Sequence, residues 1–388
     1  MPAPTRIPAA ASILAAVLAA VAGPARGARG DEPVTSDVRY TREVVRILQR
    51  RCLACHAPGG IAMPLAPYHE VRAWGRAVRE EIVEERMPPW SAAPGFGRFR
   101  NDLALTAREE ATLLSWIDGG MPRGDLRDLP PAPSIPVAAD PPDRRWAVPP
   151  QLVAAGAPVT VRRVTLETSL ATDRWVRRVS IRPGDRRVLR GALVFAADGA
   201  RGAGATARPG QWIGAWTPGQ EDLAPPEPHA FRLHARARLT VVLHYSGADQ
   251  PVTDRTVVEL HFADGGPLAV DEVALEEGLA DPRGVRRTDV ALARDAHVWA
   301  LQFTPAAATT SLELRARRPD GSIEVLLWVP RPRPEWPQAP VLETGSRLPA
   351  GTVISMVTHA AAAGDRRGGA AARAVVSLLR PPATPPRP

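Results

Sequence analysis

The only two cysteines of the 388-residue chain stand three residues apart and are followed directly by a histidine, in the pentapeptide Cys52-Leu53-Ala54-Cys55-His56. Two thiols at this spacing can form thioethers on one edge of a porphyrin, while the adjacent imidazole binds the iron. The spacing therefore predicts covalently attached haem c, with Cys52, Cys55 and His56 as its anchors.

Two other uses of such a cysteine pair fit the sequence less well. A zinc site requires two further ligands, and the chain has no other cysteine. A thioredoxin-like redox pair is expected after a strand, at the start of a helix. Here the spacing of Val44, Val45 and Leu48 predicts an amphipathic helix before the motif, with Thr41 as its N-cap. We therefore expect haem rather than zinc or disulfide exchange.

A haem iron held by His56 needs a second axial ligand, and three methionines lie near enough in sequence to supply one. Met87 begins an MPPW segment directly after a helical pattern over residues 71–85, and the prolines predict an extended strap. Met63 lies only seven residues after His56, too near to reach the other side of a porphyrin. We predict Met87 as the ligand.

Met121 is the alternative methionine ligand. It follows a helix with well-marked ends, because Thr106 and Glu109 match a capping box and Gly119 matches a helix terminus. Core packing, the commonest role of methionine, and a site without a methionine ligand also remain open.

Arginine supplies the positive charge of the chain, which contains 49 Lys and Arg residues, none of them lysine, and has a formal net charge of +8. Basic charge ordinarily raises nucleic acid as a candidate partner. However, Arg6, an apolar run over residues 7–22 and the small residues after it predict a signal peptide over residues 1–30. We therefore expect a periplasmic or secreted protein, with no nucleic-acid partner and no membrane span after cleavage.

The sequence changes after residue 127 to a proline-rich linker over 128–150, and then to short β-forming runs separated by Pro and Gly. Such runs predict antiparallel sandwiches, which we expect as two domains at 151–268 and 269–380, followed by a disordered tail at 381–388. The runs lie at 159–166, 175–181, 191–195, 239–244, 257–262, 289–292, 298–303, 311–316, 323–329, 352–358 and 374–379.

Residues 35–127 resemble a class I cytochrome c domain. The stretches TREVVRILQRRCLACH, ERMPPW and LTAREEATLLSWIDGGMPRGD are similar to a module of bacterial chains that also carry a copper type II, ascorbate-dependent monooxygenase-like region. The later stretches TDRWVRRVSIRPGDRRVL and LTVVLHYSGADQPVTDRTVVELHFA are similar to that region. The resemblance implies a multidomain fold, with an all-α class I cytochrome c domain followed by two all-β antiparallel, jelly-roll-like sandwiches similar to peptidylglycine hydroxylase. It also implies Met87 as the distal haem ligand.

The sequence departs from this family at the implied copper ligands. In place of the family's histidine pairs the chain has an Arg-Gly pair at 190–191 and a Thr-Pro-Ala stretch at 304–306, which leaves His244 as a possible vestigial copper ligand. Copper sites need about three protein donors. We therefore expect no bound copper.

Together these observations predict an exported c-type cytochrome that transfers single electrons at covalently bound haem. Its partner would be a redox protein or a small electron donor, and the β region would be a binding or docking module with no catalysis of its own. The alternative is an active copper monooxygenase that receives electrons from its own haem domain. A third possibility is a binding protein that uses haem as a sensor.

Overall fold

The computed structural model describes residues 36–132, 140–197, 210–220, 222–281, 283–360 and 371–381. The predicted signal peptide and residues 382–388 of the predicted tail lie outside this part of the chain. Strands make up 41% of the described residues and helices 15%, so the protein is mostly β-sheet.

The described helices lie in the N-terminal part of the chain and pack around one apolar cluster. In chain order they are a π-helical turn Tyr40–Val44, α1 Val45–Arg51, α2 Leu53–His56, α3 Tyr68–Val83, α4 Ala107–Asp118 and a 3₁₀ turn Leu126–Asp128. None of these helices is long and apolar enough to cross a membrane.

Apolar residues at helical spacing explain why these segments pack together. Leu48 of α1, Val71 of α3 and Trp116 of α4 are each 1% exposed in the shared core. The predicted capping box of α4 is confirmed. The Thr106 hydroxyl accepts from the Glu109 N–H, and the Glu109 carboxylate accepts from the Thr106 N–H.

The predicted N-cap of the first helix is wrong. The helical region begins with the π-turn at Tyr40, which places Thr41 inside the turn instead of before it. Arg39 occupies the cap position, and its N–H donates to the Glu43 carboxylate. The Thr41 hydroxyl is buried without a hydrogen-bond partner.

The rest of the described chain consists of short strands joined by turns. They are β1 Arg144–Ala147, β2 Gln151–Val153, β3 Thr160–Glu167, β4 Arg174–Arg182, β5 Leu189–Ala197, β6 Gln211–Trp216, β7 His229–Leu233, β8 Arg238–Tyr245, β9 Val252–Asp254, β10 Val257–Phe262, β11 Leu268–Glu276, β12 Val285–Ala291, β13 Ala296–Thr304, β14 Thr309–Arg317, β15 Ile323–Val329, β16 Val341–Leu348, β17 Val353–Ala360 and β18 Arg373–Leu379.

These strands form four sheets that pack face to face. The largest has the order β1-β10-β4-β7-β11-β18-β13-β16, two four-stranded sheets have the orders β3-β8-β5-β6 and β12-β17-β14-β15, and β2 pairs with β9. One apolar core lies between the large sheet and the β3-β8-β5-β6 sheet, and a second lies between the large sheet and the β12-β17-β14-β15 sheet. The predicted β-sandwich character is confirmed.

The large sheet takes strands from both sides of the domain boundary predicted between residues 268 and 269. The connection is a short parallel pairing of β11 with β7, in which Leu268 is opposite His229 and Ala269 is opposite Ala230. In addition, β1 lies inside the predicted linker and occupies an edge of the sheet, where prolines are tolerated. The domain boundaries stay predictions.

The prediction of an all-α class I cytochrome c domain over residues 35–127 is wrong. The described chain has only four short α-helices, and strand dominates. The segment between α3 and α4 explains the difference. Residues 87–105 contain no helix, and Ala92 and Phe99 within them are buried in the second β core. The helices, which pack around their own apolar cluster, are therefore joined to the sandwich by a segment that is buried in it.

Candidate functional site

A cavity lies beside the cysteine motif. Cys52, Cys55, His56 and Met87 all line it. The structure thus brings together the four residues that the sequence predicts as haem-binding. Apolar side chains form most of the remaining wall, including Leu65, Val78, Ile82, Leu103 and Leu105.

The imidazole of His56 is oriented by a main-chain contact. Its Nδ1 donates to the carbonyl oxygen of Met63 at 2.8 Å, so the proton of the neutral ring lies on Nδ1 and the lone pair lies on Nε2. Burial lowers the pKa of His56, although the bond to Met63 opposes this effect. A neutral imidazole with one nitrogen held by a carbonyl and the other available is the usual state of a metal-binding histidine.

Cys52 is the residue directly before the short helix α2, and Cys55 lies within this helix, one turn later. Burial raises the pKa of Cys52 to about 12 and that of Cys55 to about 11. Both side chains are therefore neutral thiols near pH 7, and no disulfide joins them. Cysteines that exchange disulfides have lowered pKa values, so this environment argues against a thioredoxin-like function.

The three candidate methionines occupy different places around the cavity. Met87 lines it, at the start of the strap formed by residues 87–91. Met63 also lines it, but the Met63 carbonyl binds His56, which puts its main chain behind the imidazole. Met121 is not part of the lining; its sulfur packs against Gly75 of α3. The geometry therefore favours Met87 as the second ligand, because it lines the cavity and its main chain does not bind His56.

The strap is held by Gln338, a buried residue between β15 and β16. The side-chain oxygen of Gln338 accepts from the Ser91 N–H at 3.1 Å, and its amide nitrogen donates to the Pro89 carbonyl. One side chain thus fixes two main-chain groups of the strap that follow Met87.

Arg333 holds the other side of Met87. Its guanidinium donates to the carbonyl oxygens of Glu85 at 2.7 Å and Arg86 at 2.6 Å. Gln338 and Arg333 were not predicted as site residues, and no local signal in the sequence marks them. They are separated from their partners by 247 to 249 residues.

His244 lies in β8, away from the lining of this cavity, and is 5% exposed. Burial lowers the pKa of His244 to about 4, and its Nδ1 has no hydrogen-bond partner. Its neighbour across the sheet is Gly191 of β5. Among the described residues, no group of three or more His, Cys, Asp or Glu side chains is arranged to hold a metal ion.

A second group of reactive side chains, Ser180, His261 and Asp140, has the order of a hydrolytic triad. Ser180 Oγ lies 3.4 Å from His261 Nε2, and His261 Nδ1 lies 3.3 Å from Asp140. However, Ser180 is fully buried and its hydroxyl donates to Asp222 at 2.6 Å. A nucleophile must be reachable by its substrate, so this group is a structural network.

No family model and no curated protein matches this chain. Among solved structures, the top component of cowpea mosaic virus aligns with a TM-score of 0.26 and 9% identity, over 57% of this chain and 88% of that chain. Allantoicase from Saccharomyces cerevisiae aligns at 0.20 and 8%, over 56% and 77%. The major capsid protein P2 of bacteriophage PM2 aligns at 0.23 and 8%, over 61% and 97%. Similarities at these TM-scores carry no argument about this chain.

The resemblance to bacterial cytochrome c chains with a copper monooxygenase-like region is not supported. The predominance of strand and the absence of a matching family model both contradict it. Alternating Val, Arg and Leu residues with Pro-Gly turns are common to unrelated antiparallel sheets, so the similarity of these stretches does not require a shared family. The reason to regard His244 as a vestigial copper ligand is removed with the resemblance.

Proposed function

We propose that this chain binds one haem c in the cavity beside Cys52, Cys55 and His56, and that it exchanges single electrons with a redox partner. The observation that carries the proposal is the joint placement of both thiols, the His56 imidazole and the Met87 thioether around one apolar cavity. Two cysteines and a histidine in this spacing are typical of c-type haem attachment.

The residues present fit such a group. A haem, when bound, supplies a one-electron iron couple. Cys52 and Cys55 offer two sulfurs one helical turn apart for thioether bonds, and His56 offers Nε2 as a nitrogen ligand. Met87 offers a thioether sulfur, a ligand that raises the reduction potential. The mostly apolar wall lowers the local dielectric constant around such a group.

The β-sandwich region is proposed to serve as the binding and docking module of the same protein. Support comes from its contacts with the strap, since Gln338 and Arg333 of this region hold the main chain on both sides of Met87. Export to the periplasm or the cell exterior is proposed from the N-terminal sequence alone.

The test of this proposal is the fate of haem on denaturation. The protein is produced in an exporting bacterial host that attaches haem c, then denatured and extracted with acidified organic solvent. In the wild type the haem should stay with the polypeptide. It should be lost completely from the Cys52→Ser/Cys55→Ser double variant, because no thioether can form. Each single variant should retain less haem than the wild type. Extraction of all haem from the wild type would contradict the proposal.

A further inference from the structure

A second, small cavity lies between the helices and the sandwich. Cys55, Pro89 and Leu103 line both cavities, so the two adjoin at the cysteine side of the candidate haem site. The sandwich contributes the opposite wall, which includes Thr217, Pro218, Gly219, Gln220, Trp336, Gln338 and Ala339.

The loop after β6 touches the cysteine motif directly. Gly219 has a φ of +80°, and a Cβ at this position would lie 2.5 Å from the Cβ of Ala54. Only glycine fits both the backbone conformation and the close approach. Ala54 stands between the two cysteines, so the sandwich covers the cysteine side of the site.

Arg190 projects from β5 at an irregular position. The pairing of β5 with β8 shifts register between Leu189 and Gly191, which leaves Arg190 as the bulge residue. Bulges re-aim a side chain out of the regular ladder. The Arg190 guanidinium stacks on Trp336, 4.7 Å from the ring centroid, and Trp336 lines the second cavity.

The charge on Arg190 is poorly compensated by hydrogen bonds. Its Nε is buried without a partner, and burial lowers the pKa of Arg190. Glu335 is the acidic group that acts on it, and the charge of Arg190 in turn acts on Cys55. A buried polar atom without a hydrogen bond lowers the stability of the folded protein. Stability therefore does not explain the placement of Arg190, and its position indicates a functional reason.

We propose that Arg190 sets the reduction equilibrium of the site, making the sandwich an electrostatic part of the electron-transfer centre. This inference rests on the haem function proposed above. Reduction adds one negative charge to the centre, and a fixed positive charge nearby favours the reduced state. Because Arg190 is partly buried, salt screens this interaction less than it would screen that of an exposed charge.

The experiment is a redox titration of the full-length haem-loaded protein and four variants. Arg190→Gln removes the charge, and Arg190→Lys keeps it. Glu335→Gln removes the opposing negative charge. Arg174→Gln is the matched control, since Arg174 also stacks on a ring, 4.5 Å from the centroid of Phe262, but lies on β4, which lines neither cavity.

Arg190→Gln should shift the reduction equilibrium about tenfold toward the oxidised state, which is about 59 mV for a one-electron couple. Arg190→Lys should stay near the wild type, Glu335→Gln should shift in the opposite direction, and Arg174→Gln should not shift. The difference between Arg190→Gln and the wild type should persist at high salt.

The outcomes separate this inference from the function on which it rests. If the wild type carries no covalent haem, the proposed function fails, and this inference fails with it. If haem is attached but Arg190→Gln leaves the potential unchanged, only the role of Arg190 is wrong. An equal shift in Arg190→Lys and Arg190→Gln would assign the effect to lost stacking and would also overturn the electrostatic role.

Discussion

Hydrogen bonding at individual side chains decides which atoms of the site are available for chemistry. The Met63 carbonyl occupies Nδ1 of His56 and leaves Nε2 available toward the cavity. Met87 lines the same cavity, whereas Met121 packs into the helical core. The choice among the methionines, which the sequence left open, therefore depends on position and not on residue type.

Replacement of Met87 is the direct test of that choice. In haem-loaded protein, Met87→Leu should remove the low-spin absorption spectrum, because leucine fills the space without donating a lone pair. Met121→Leu is the matched control and should leave the spectrum unchanged. Absorption spectroscopy of the oxidised and reduced forms measures both. A spectrum that survives Met87→Leu but changes in Met121→Leu would reverse the assignment.

Burial of His244 predicts a pH dependence of stability. Its pKa is about 4 in the folded protein and about 6.5 when unfolded. The neutral form is favoured by folding, so its contribution is complete above pH 6.5 and is lost as the pH falls toward 4. The loss amounts to about 3 kcal/mol in the free energy of unfolding. Denaturant titrations at several pH values measure it.

A matched pair of variants isolates the His244 contribution. His244→Gln cannot ionise and should reduce the dependence between pH 6.5 and 4 by about this amount, whereas replacement of the exposed His69 by Gln should leave it as in the wild type. Identical pH profiles for the wild type and His244→Gln would show that this imidazole is not buried as described.

Among the secondary-structure elements, the strap of residues 87–91 depends on a partner far away in sequence. Its two prolines exclude a regular helix, but they do not determine where the strap lies. That position is determined by Gln338 and Arg333, between β15 and β16. This non-helical segment, whose internal main-chain bond runs from the Trp90 N–H to the Pro88 carbonyl, is thus held at a defined position by the sandwich.

Loss of the Gln338 contacts should therefore affect the site more than the fold. Gln338→Met keeps the size of the side chain but leaves the Ser91 N–H and the Pro89 carbonyl without this partner. We expect a loss of about 1–3 kcal/mol in the free energy of unfolding and a mixture of low-spin and high-spin haem. Gln220→Met is the control, because Gln220 lines the same cavity without binding the strap. A fully low-spin spectrum in Gln338→Met would contradict the positioning role.

The helices and the sandwich form a connected structure at the scale of the whole molecule. Phe99 lies in the segment between α3 and α4, yet it is buried in the second β core and bridges to Leu342. Main-chain bonds from Ala93 to Trp328 and from Arg100 to Val341 extend the connection. A destabilising substitution on one side of this junction should therefore lower the stability of the other side as well.

Phe99→Ala tests this coupling. Removal of a buried phenylalanine costs about 3–5 kcal/mol, and we expect the free energy of unfolding of the sandwich to fall by this amount although the residue precedes it in sequence. The low-spin haem signal should weaken as well. Phe96→Ala, in the same segment but at a partly exposed ring, is the control with a smaller effect. A sandwich of unchanged stability in Phe99→Ala would show that the two parts are independent.

Local chemistry and local periodicity were readable from the sequence alone. The motif from Cys52 to His56, the capping box at Thr106 and strands such as β10 and β15 each depend on residues close together in the chain. The tertiary structure alone decided that the segment after α3 joins the β core, that Gln338 and Arg333 hold the strap, and that Arg190 lies on the cysteine side of the site. These contacts join residues separated by more than a hundred positions, often through main-chain atoms. A sequence pattern reports only what a residue's near neighbours require, and such contacts leave no trace in it.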